Sequence, residues 1–142
     1  MNIFVLMPFA PDFDDVFAQV IRAPLEADGF VVSRADESHG TRNIMHDVLQ
    51  GIASADLVIA DLTGANPNVY YELGVAHALG RRTILLTQDL DEVPFDLRAY
   101  RVITYSTHFA RVAEAIEALR QTAKGAKHGS IHFGSPVSDY SS

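Results

Sequence analysis

Cysteine is absent from the 142-residue chain, which excludes a disulfide framework, a thiolate nucleophile and a cysteine-ligated metal, and fits a cytoplasmic protein. Basic residues are scarce: eleven Lys and Arg stand against eighteen Asp and Glu, for a formal net charge of −7 and a pI near 5.2. This balance lacks the broad basic surface that neutralises duplex phosphates, so no duplex nucleic acid is expected as a partner, whereas a small phosphate-bearing ligand needs only a local pocket. Long hydrophobic runs are missing too. The opening MNIFVLMPFA has no basic residue ahead of its apolar stretch, and Asp12, Asp14 and Asp15 follow at once, so neither a secretory signal nor a membrane span fits. Six histidines, His39, His46, His77, His108, His128 and His132, form no dense ligand pattern, so no metal or other cofactor is expected. What is present suffices for one core: 48% hydrophobic and 20% charged residues with a mean hydropathy of +0.08 describe a single domain.

Four strand-length apolar runs, at residues 3–7, 30–33, 57–60 and 83–87, and a weaker fifth at 101–105 lie between helical stripes. The stripes are Phe13, Val16, Phe17, Val20 and Ile21; Ile44, Val48, Leu49 and Ile52; Val69, Leu73, Ala76 and Leu79; and Val112, Ile116 and Leu119. Near-continuous apolar strands need cover on both faces. The alternation therefore predicts an α/β fold, a three-layer α/β/α arrangement around a doubly wound, mainly parallel five-stranded sheet of flavodoxin or Rossmann-like type. Ligands of such sheets bind beyond the carboxyl ends of the strands, here at Met7-Pro8-Phe9 and at residues 34–40, 61–68 and 88–96. The domain is expected over residues 1–124, followed by a Gly- and Ser-rich tail, 125–142, either disordered or docked on a partner subunit.

The densest signal is ADLVIADLTGANPNVYYELGVAHALG, Ala55 to Gly80. Asp61 is the first polar residue after a buried strand. Thr63, Gly64, Asn66, Pro67 and Asn68 form a tight connection, and Asn66 before Pro67 is a good helix start, with Asn68 the alternative cap. Glu72 then shares a helical stripe with Val69, Val75, Ala76 and Leu79, so its carboxylate leaves from an apolar face. Lying beyond N3 from either cap, it cannot close a capping box. Two readings stay open: a carboxylate paired with a buried arginine, or an acid at the crevice, kept ionised by the helix N-terminus and available as nucleophile or base.

Asp61, the Asn-Pro-Asn turn and Tyr71-Glu72-Leu73-Gly74, followed by Ala76, Ala78, Leu79, Gly80 and a strand, resemble the nucleoside 2-deoxyribosyltransferase-like family and its N-glycosidase relatives. The likeness covers roughly Ile3 to Tyr105, and its specific part is Ala55 to Leu86. It implies a deoxyribosyltransferase-like fold and an enzyme that cleaves or transfers at the N-glycosidic bond of a nucleoside or nucleotide. Glu72 would attack C1′ to leave a ribosyl-enzyme ester, and water or a second base would take the sugar. An oxocarbenium-like transition state suits a carboxylate. Where the family has an aspartate six residues before the glutamate, this chain has Asn66, which cannot act as a general acid. Asp61 is the nearest carboxyl to replace it, or else it caps the following turn. The family's tyrosine near the end of the first strand has no counterpart among Phe4, Met7, Pro8 and Phe9, leaving Tyr70, Tyr71 and Tyr105 as candidates to orient Glu72. Met7-Pro8-Phe9, Asn-Pro-Asn and Val93-Pro94-Phe95-Asp96-Leu97-Arg98 also resemble TIR-like nucleotide-binding domains of bacterial immune systems. That likeness implies the alternative, an NAD hydrolase or a non-catalytic nucleotide-sensing module.

The expected site is thus Glu72 and Asp61 as catalytic residues, with Met7, Pro8, Phe9, Arg34, Asp36, Asn66, Asn68 and Tyr71 binding a nucleoside, nucleotide or NAD. Arg34 is a clamp for a phosphate or carboxylate and Asp36 a partner for ribose hydroxyls, or the two make a surface ion pair. Phe9 is a candidate to stack on a base, although the nearby Phe13 and Phe17 favour core packing. Asp89, Asp91 and Glu92 form a solvated loop or a lid, with Arg98 and Arg101 as its anchors. The family resemblance further implies a homo-oligomer, in which a neighbouring subunit completes the shallow crevice.

Overall fold

The computed structural model of the chain describes residues 1–35 and 41–141, with the backbone alone for 41–43. Its centre is a sheet of β1 (Asn2–Leu6), β2 (Val31–Arg34), β3 (Leu57–Asp61), β4 (Thr83–Thr87) and β5 (Val102–Thr104) in the order β2-β1-β3-β4-β5. Every pairing is parallel, so the sheet expected to be mainly parallel is wholly so. Alternate strand residues feed two cores. Ile3, Val5, Leu57, Ile59, Ile84 and Leu86 pack against α1 (Pro11–Asp15), a π-helical stretch (Val16–Arg22), α2 (Ala23–Ala27) and α5 (Val112–His128). Phe4, Leu6, Val58, Ala60 and Leu85 pack against α3 (Thr41–Ser54) and α4 (Pro67–Ala78). Each such side chain, taken fully out of water, stabilises the fold by about 1.5–3 kcal/mol before entropy is counted.

The first helical run is continuous from Pro11 to Ala27 but widens in its middle third. The wide register falls directly before Pro24, which has no N–H for the carbonyl four residues back and whose ring crowds that carbonyl. It keeps Val16, Ile21 and Leu25 in the core. Across the sheet, β2 lies on one side of β1 and β3 on the other. A crevice therefore opens beyond the carboxyl ends of β1 and β3, the switch point of this topology.

Two close approaches fix the outer layers. A Cβ on Gly51 of α3 would lie 2.2 Å from the ring of Phe4, a core residue of β1. Gly51→Ala should therefore lower stability by about 1–3 kcal/mol despite its better helix propensity; an unchanged urea midpoint would show that the ring simply moves aside. His77 of α4 is buried, with Nε2 3.0 Å from the hydroxyl of Thr83, and burial lowers its pKa below the usual 6.5. The folded state then takes up a proton less readily than the unfolded chain, so the stability linked to His77 is present above pH 6.5 and lost as pH falls. Denaturation at pH 7.5 and at pH 5.5 should show a larger loss for the wild type than for His77→Gln.

The tail departs from expectation. The last long helix does not stop at the expected boundary of 124 but runs to His128, ending on Gly129 in the left-handed region with φ 68°. Gly125 gives room for the chain to return, since a Cβ there would meet Ile131 at 2.1 Å. The following segment is folded on its own domain at the amino-terminal edge of the sheet. Arg82 donates to the Ala126 carbonyl at 2.6 Å and Arg101 to the His132 carbonyl at 3.3 Å, and both guanidiniums lie within 6.0 Å of the Phe133 ring centroid. Arg101 thus anchors the tail and not the acidic loop. A final short helix, α6 (Pro136–Tyr140), is capped by Ser135 and packs on α4.

Candidate active site

The crevice is built around the turn from β3 to α4. Asp61 ends β3, at the carboxyl end where the sequence placed it, and it is fully buried. One carboxylate oxygen accepts from the backbone N–H (3.1 Å) and hydroxyl (2.6 Å) of Thr63, and the other accepts from the Tyr105 hydroxyl at 2.5 Å. Gln88 closes the network, its side chain donating to Tyr105 and its backbone N–H to the Thr63 hydroxyl. Burial raises the pKa of Asp61, opposed by these hydrogen bonds; for Tyr105, burial and the neighbouring carboxylate raise it. Beyond Thr63 the backbone passes through two successive left-handed residues, Gly64 (φ 80°) and Ala65 (φ 51°). An alanine in that region is strained, and the loop after β4 holds it there: the Glu92 carboxylate accepts from the Gly64 N–H at 2.8 Å, and the Tyr70 hydroxyl donates to the Glu92 carbonyl at 3.4 Å. Arg98 clips the same loop through the carbonyls of Val93 and Asp91. The acidic loop is therefore pinned to the turn.

Asn66 is the cap of α4, its side-chain oxygen accepting from the N–H groups of Asn68 and Val69 at 2.9 and 3.3 Å. Asn68 and Tyr71 are exposed. Glu72, the sixth residue of the helix, is half-buried on the flank of the buried row Val69, Leu73 and Ala76; Leu79, expected on that stripe, is exposed. Desolvation pushes the Glu72 carboxyl up to about 7. This reverses the expectation that the helix N-terminus keeps it ionised, because the dipole acts within the first turn and Glu72 lies past it. The tyrosine candidates do not orient it either: Tyr105 serves Asp61, Tyr70 serves Glu92, and Tyr71 faces solvent.

On the other side of the β1 end, a cavity of about 630 Å³ is walled by the first helical run and edge strand β2, with Phe9, Asp14, Phe17, Arg22, Arg34 and Ala35 in its lining. Phe9 is not core: it is 43% exposed on the rim, while Phe17 is buried. Met7 and Pro8 are buried. Arg34 lies over Phe17 at 4.4 Å, donates to the Met7 sulfur at 3.5 Å and pairs with Asp14 at 2.7 Å. Its expected companion Asp36 lies outside the described residues. Among the described residues, no three His, Asp or Glu side chains converge as metal ligands, and no helix is long and apolar enough to cross a membrane.

Residues 6–134 match the nucleoside 2-deoxyribosyltransferase family. The chain belongs to that family. Its members are enzymes of N-glycosidic bond cleavage or transfer, and the fold is shared with solved structures of low sequence identity. The CMP N-glycosidase BcmB of Clostridium botulinum superposes with a TM-score of 0.67 at 20% identity, over 86% of this chain and 99% of that one. A 2-deoxyribosyltransferase from Leishmania mexicana gives 0.60 at 20% identity, over 89% and 97%, and one from Bacillus psychrosaccharolyticus gives 0.56 at 16%, over 66% and 77%. No curated protein sequence is significantly similar to the chain. For this deoxyribosyltransferase-family chain, sequence reasoning missed the Tyr105–Asp61 pair, the Glu92 pin and Asp14. Each joins residues at least 20 positions apart, and no local pattern signals them.

Proposed function

We propose that the chain cleaves or transfers at the N-glycosidic bond of a nucleoside or nucleotide, with Glu72 as the nucleophile. The observation that carries this reading is the half-buried carboxylate on α4 beside the crevice, in surroundings apolar enough to hold its pKa near 7. Such a group gains more than a solvated acid from meeting the positive charge that develops at C1′. The Glu72 carboxylate bonds to C1′ as the C1′–N bond breaks, and the electron pair leaves on the base, which takes a proton from water. Water, or a second base in a transfer, then attacks C1′ and releases the carboxylate. Asp61 acts as a positioning residue for the β3–α4 turn, and the Asn66 amide nitrogen, free of the capping role of its oxygen, is a donor for the base or sugar.

The test is a panel of deoxynucleosides, nucleoside monophosphates and NAD incubated with wild type and with Glu72→Ala, read by mass spectrometry for released base. Release that vanishes in the variant supports the reading and names the leaving base. Equal release by both proteins overturns the assignment of Glu72.

A further inference from the structure

The bend that joins β3 to α4 is the strained point of the backbone. Among the described residues, Ala65 is the only one other than glycine with a positive φ, 51°, and it stands between Gly64, at 80°, and the cap Asn66. Strain of this kind persists only where the surroundings hold it, and it gathers at sites of function. On its β3 side the bend is held by the buried Asp61, which accepts from the N–H and hydroxyl of Thr63, and by the Ala65 N–H donating to the Leu62 carbonyl at 3.1 Å. On its α4 side the Asn66 oxygen accepts from Asn68 and Val69. Between these two holds, the Gly64 N–H points out of the bend and donates at 2.8 Å to the carboxylate of Glu92, 28 residues on.

Glu92 is well placed to hold and poorly placed to stabilise. Its loop is fixed before it reaches the bend. Asp89 caps the short turn Leu90–Glu92 through the Asp91 N–H, Arg98 donates to the carbonyls of Asp91 and Val93, and Val93 is buried in the same core as Val69 and Leu73. Glu92 itself is exposed, so its hydrogen bond competes with water and contributes little to global stability. What that bond controls is the course of the backbone into Asn66. With its oxygen committed to the cap, the Asn66 side chain presents its amide nitrogen in a direction set by that backbone, and this nitrogen is the donor for the base or sugar in the glycosidase reading. A donor to the base acts most strongly in the transition state, when the electron pair of the breaking C1′–N bond arrives there. Resting on the glycosidase reading above, we propose that Glu92 is a positioning residue, which holds the Gly64–Ala65 bend so that the Asn66 amide meets the leaving base.

The test measures kcat and KM, for the members of the deoxynucleoside, nucleoside monophosphate and NAD panel that wild type turns over, in Glu92→Ala, Glu92→Gln, Asn66→Ser and the double variant Glu92→Ala with Asn66→Ser. Glu92→Ala should lower kcat about tenfold and leave KM within about twofold of wild type, with the urea midpoint close to that of wild type. The glutamine amide oxygen still accepts from Gly64, so Glu92→Gln should recover most of that loss. Serine keeps a helix cap but lacks the amide donor. Asn66→Ser should therefore lower kcat by itself, and adding Glu92→Ala should then cost no more than about twofold, because the second residue acts through the first. An unchanged kcat in Glu92→Ala, an equal loss in Glu92→Gln, or the full Glu92→Ala loss repeated on top of Asn66→Ser would each overturn the proposal. Glu72→Ala measured beside them keeps the two readings apart: base release that persists in that variant removes Glu72 as nucleophile, while the Glu92 comparisons are still decided on the same release. A wild type that releases no base overturns both.

Discussion

Replacing Glu72 by glutamine should abolish base release and at the same time make the protein more stable above pH 7. The two effects share one cause. A carboxyl raised from 4.5 to about 7 by desolvation is held at a cost in the folded state once it ionises. Between pH 4.5 and 7 the unfolded chain gives up this proton and the folded chain keeps it, so the stability linked to Glu72 is present below the lower value and lost as pH rises through the upper one. With the side chain only half-buried, the shift converts to about 1–2 kcal/mol after allowing for solvent screening. Glutamine carries no charge to desolvate. Urea denaturation at pH 8 should therefore place Glu72→Gln above wild type, with the two converging near pH 5. In turnover the loss should be roughly 10³-fold or more, as for removal of a nucleophile that no neighbour replaces. The wild-type rate should climb with pH through about 7 and then level, since only the carboxylate attacks. A variant that stays active, or a wild-type rate that falls across this range, would remove Glu72 from the reaction.

The second large effect belongs to Asp61. Its carboxylate is fully buried and accepts from Thr63 twice and from Tyr105 once, so Asp61→Ala strands three donors at the head of the β3–α4 turn. A loss of about 3–4 kcal/mol is expected. Tyr105→Phe should cost about 1–2 kcal/mol, and the double variant less than the sum, because the two groups share one hydrogen bond. Asp61→Asn separates the structural role from a chemical one. Its oxygen can keep both Thr63 donors and its amide can donate to the Tyr105 oxygen, so most of the stability and activity should survive, with the alkaline side of the pH–rate profile unchanged. A kcat for Asp61→Asn that falls as far as that of Glu72→Gln, in a protein of near wild-type stability, would instead make Asp61 the acid that protonates the leaving base.

The difference between these two carboxylates marks where sequence reading stops. Both stood out as polar groups in apolar settings near the carboxyl edge of the sheet. Helical spacing placed Glu72 on one stripe with Val69, Val75, Ala76 and Leu79, of which Leu79 is exposed in the structure, and the Asn66 cap with Pro67 at N1 followed from local chemistry. Spacing could not say that Tyr105, 44 residues on, would complete Asp61, or that Glu92 would hold Gly64. Phe9 had the same composition cue as Phe17, yet one stands on a cavity rim and the other in the core. The Gly- and Ser-rich tail read as disordered or docked on a partner subunit because its anchors, Arg82 and Arg101, lie far back in the chain.

The sequence by itself determined the layered α/β fold, the carboxyl edge of the sheet as the place to seek a site, and Glu72 as its candidate nucleophile. Strand runs, helical stripes and caps are set by residues within one or two turns of each other, and patterns that short survive in one dimension. Only the tertiary structure decided the desolvation of Glu72, the structural engagement of Asp61 and the pairing of Arg34 with Asp14. Desolvation and hydrogen bonding depend on which distant segments close over a group, and those contacts exist only once the sheet has assembled.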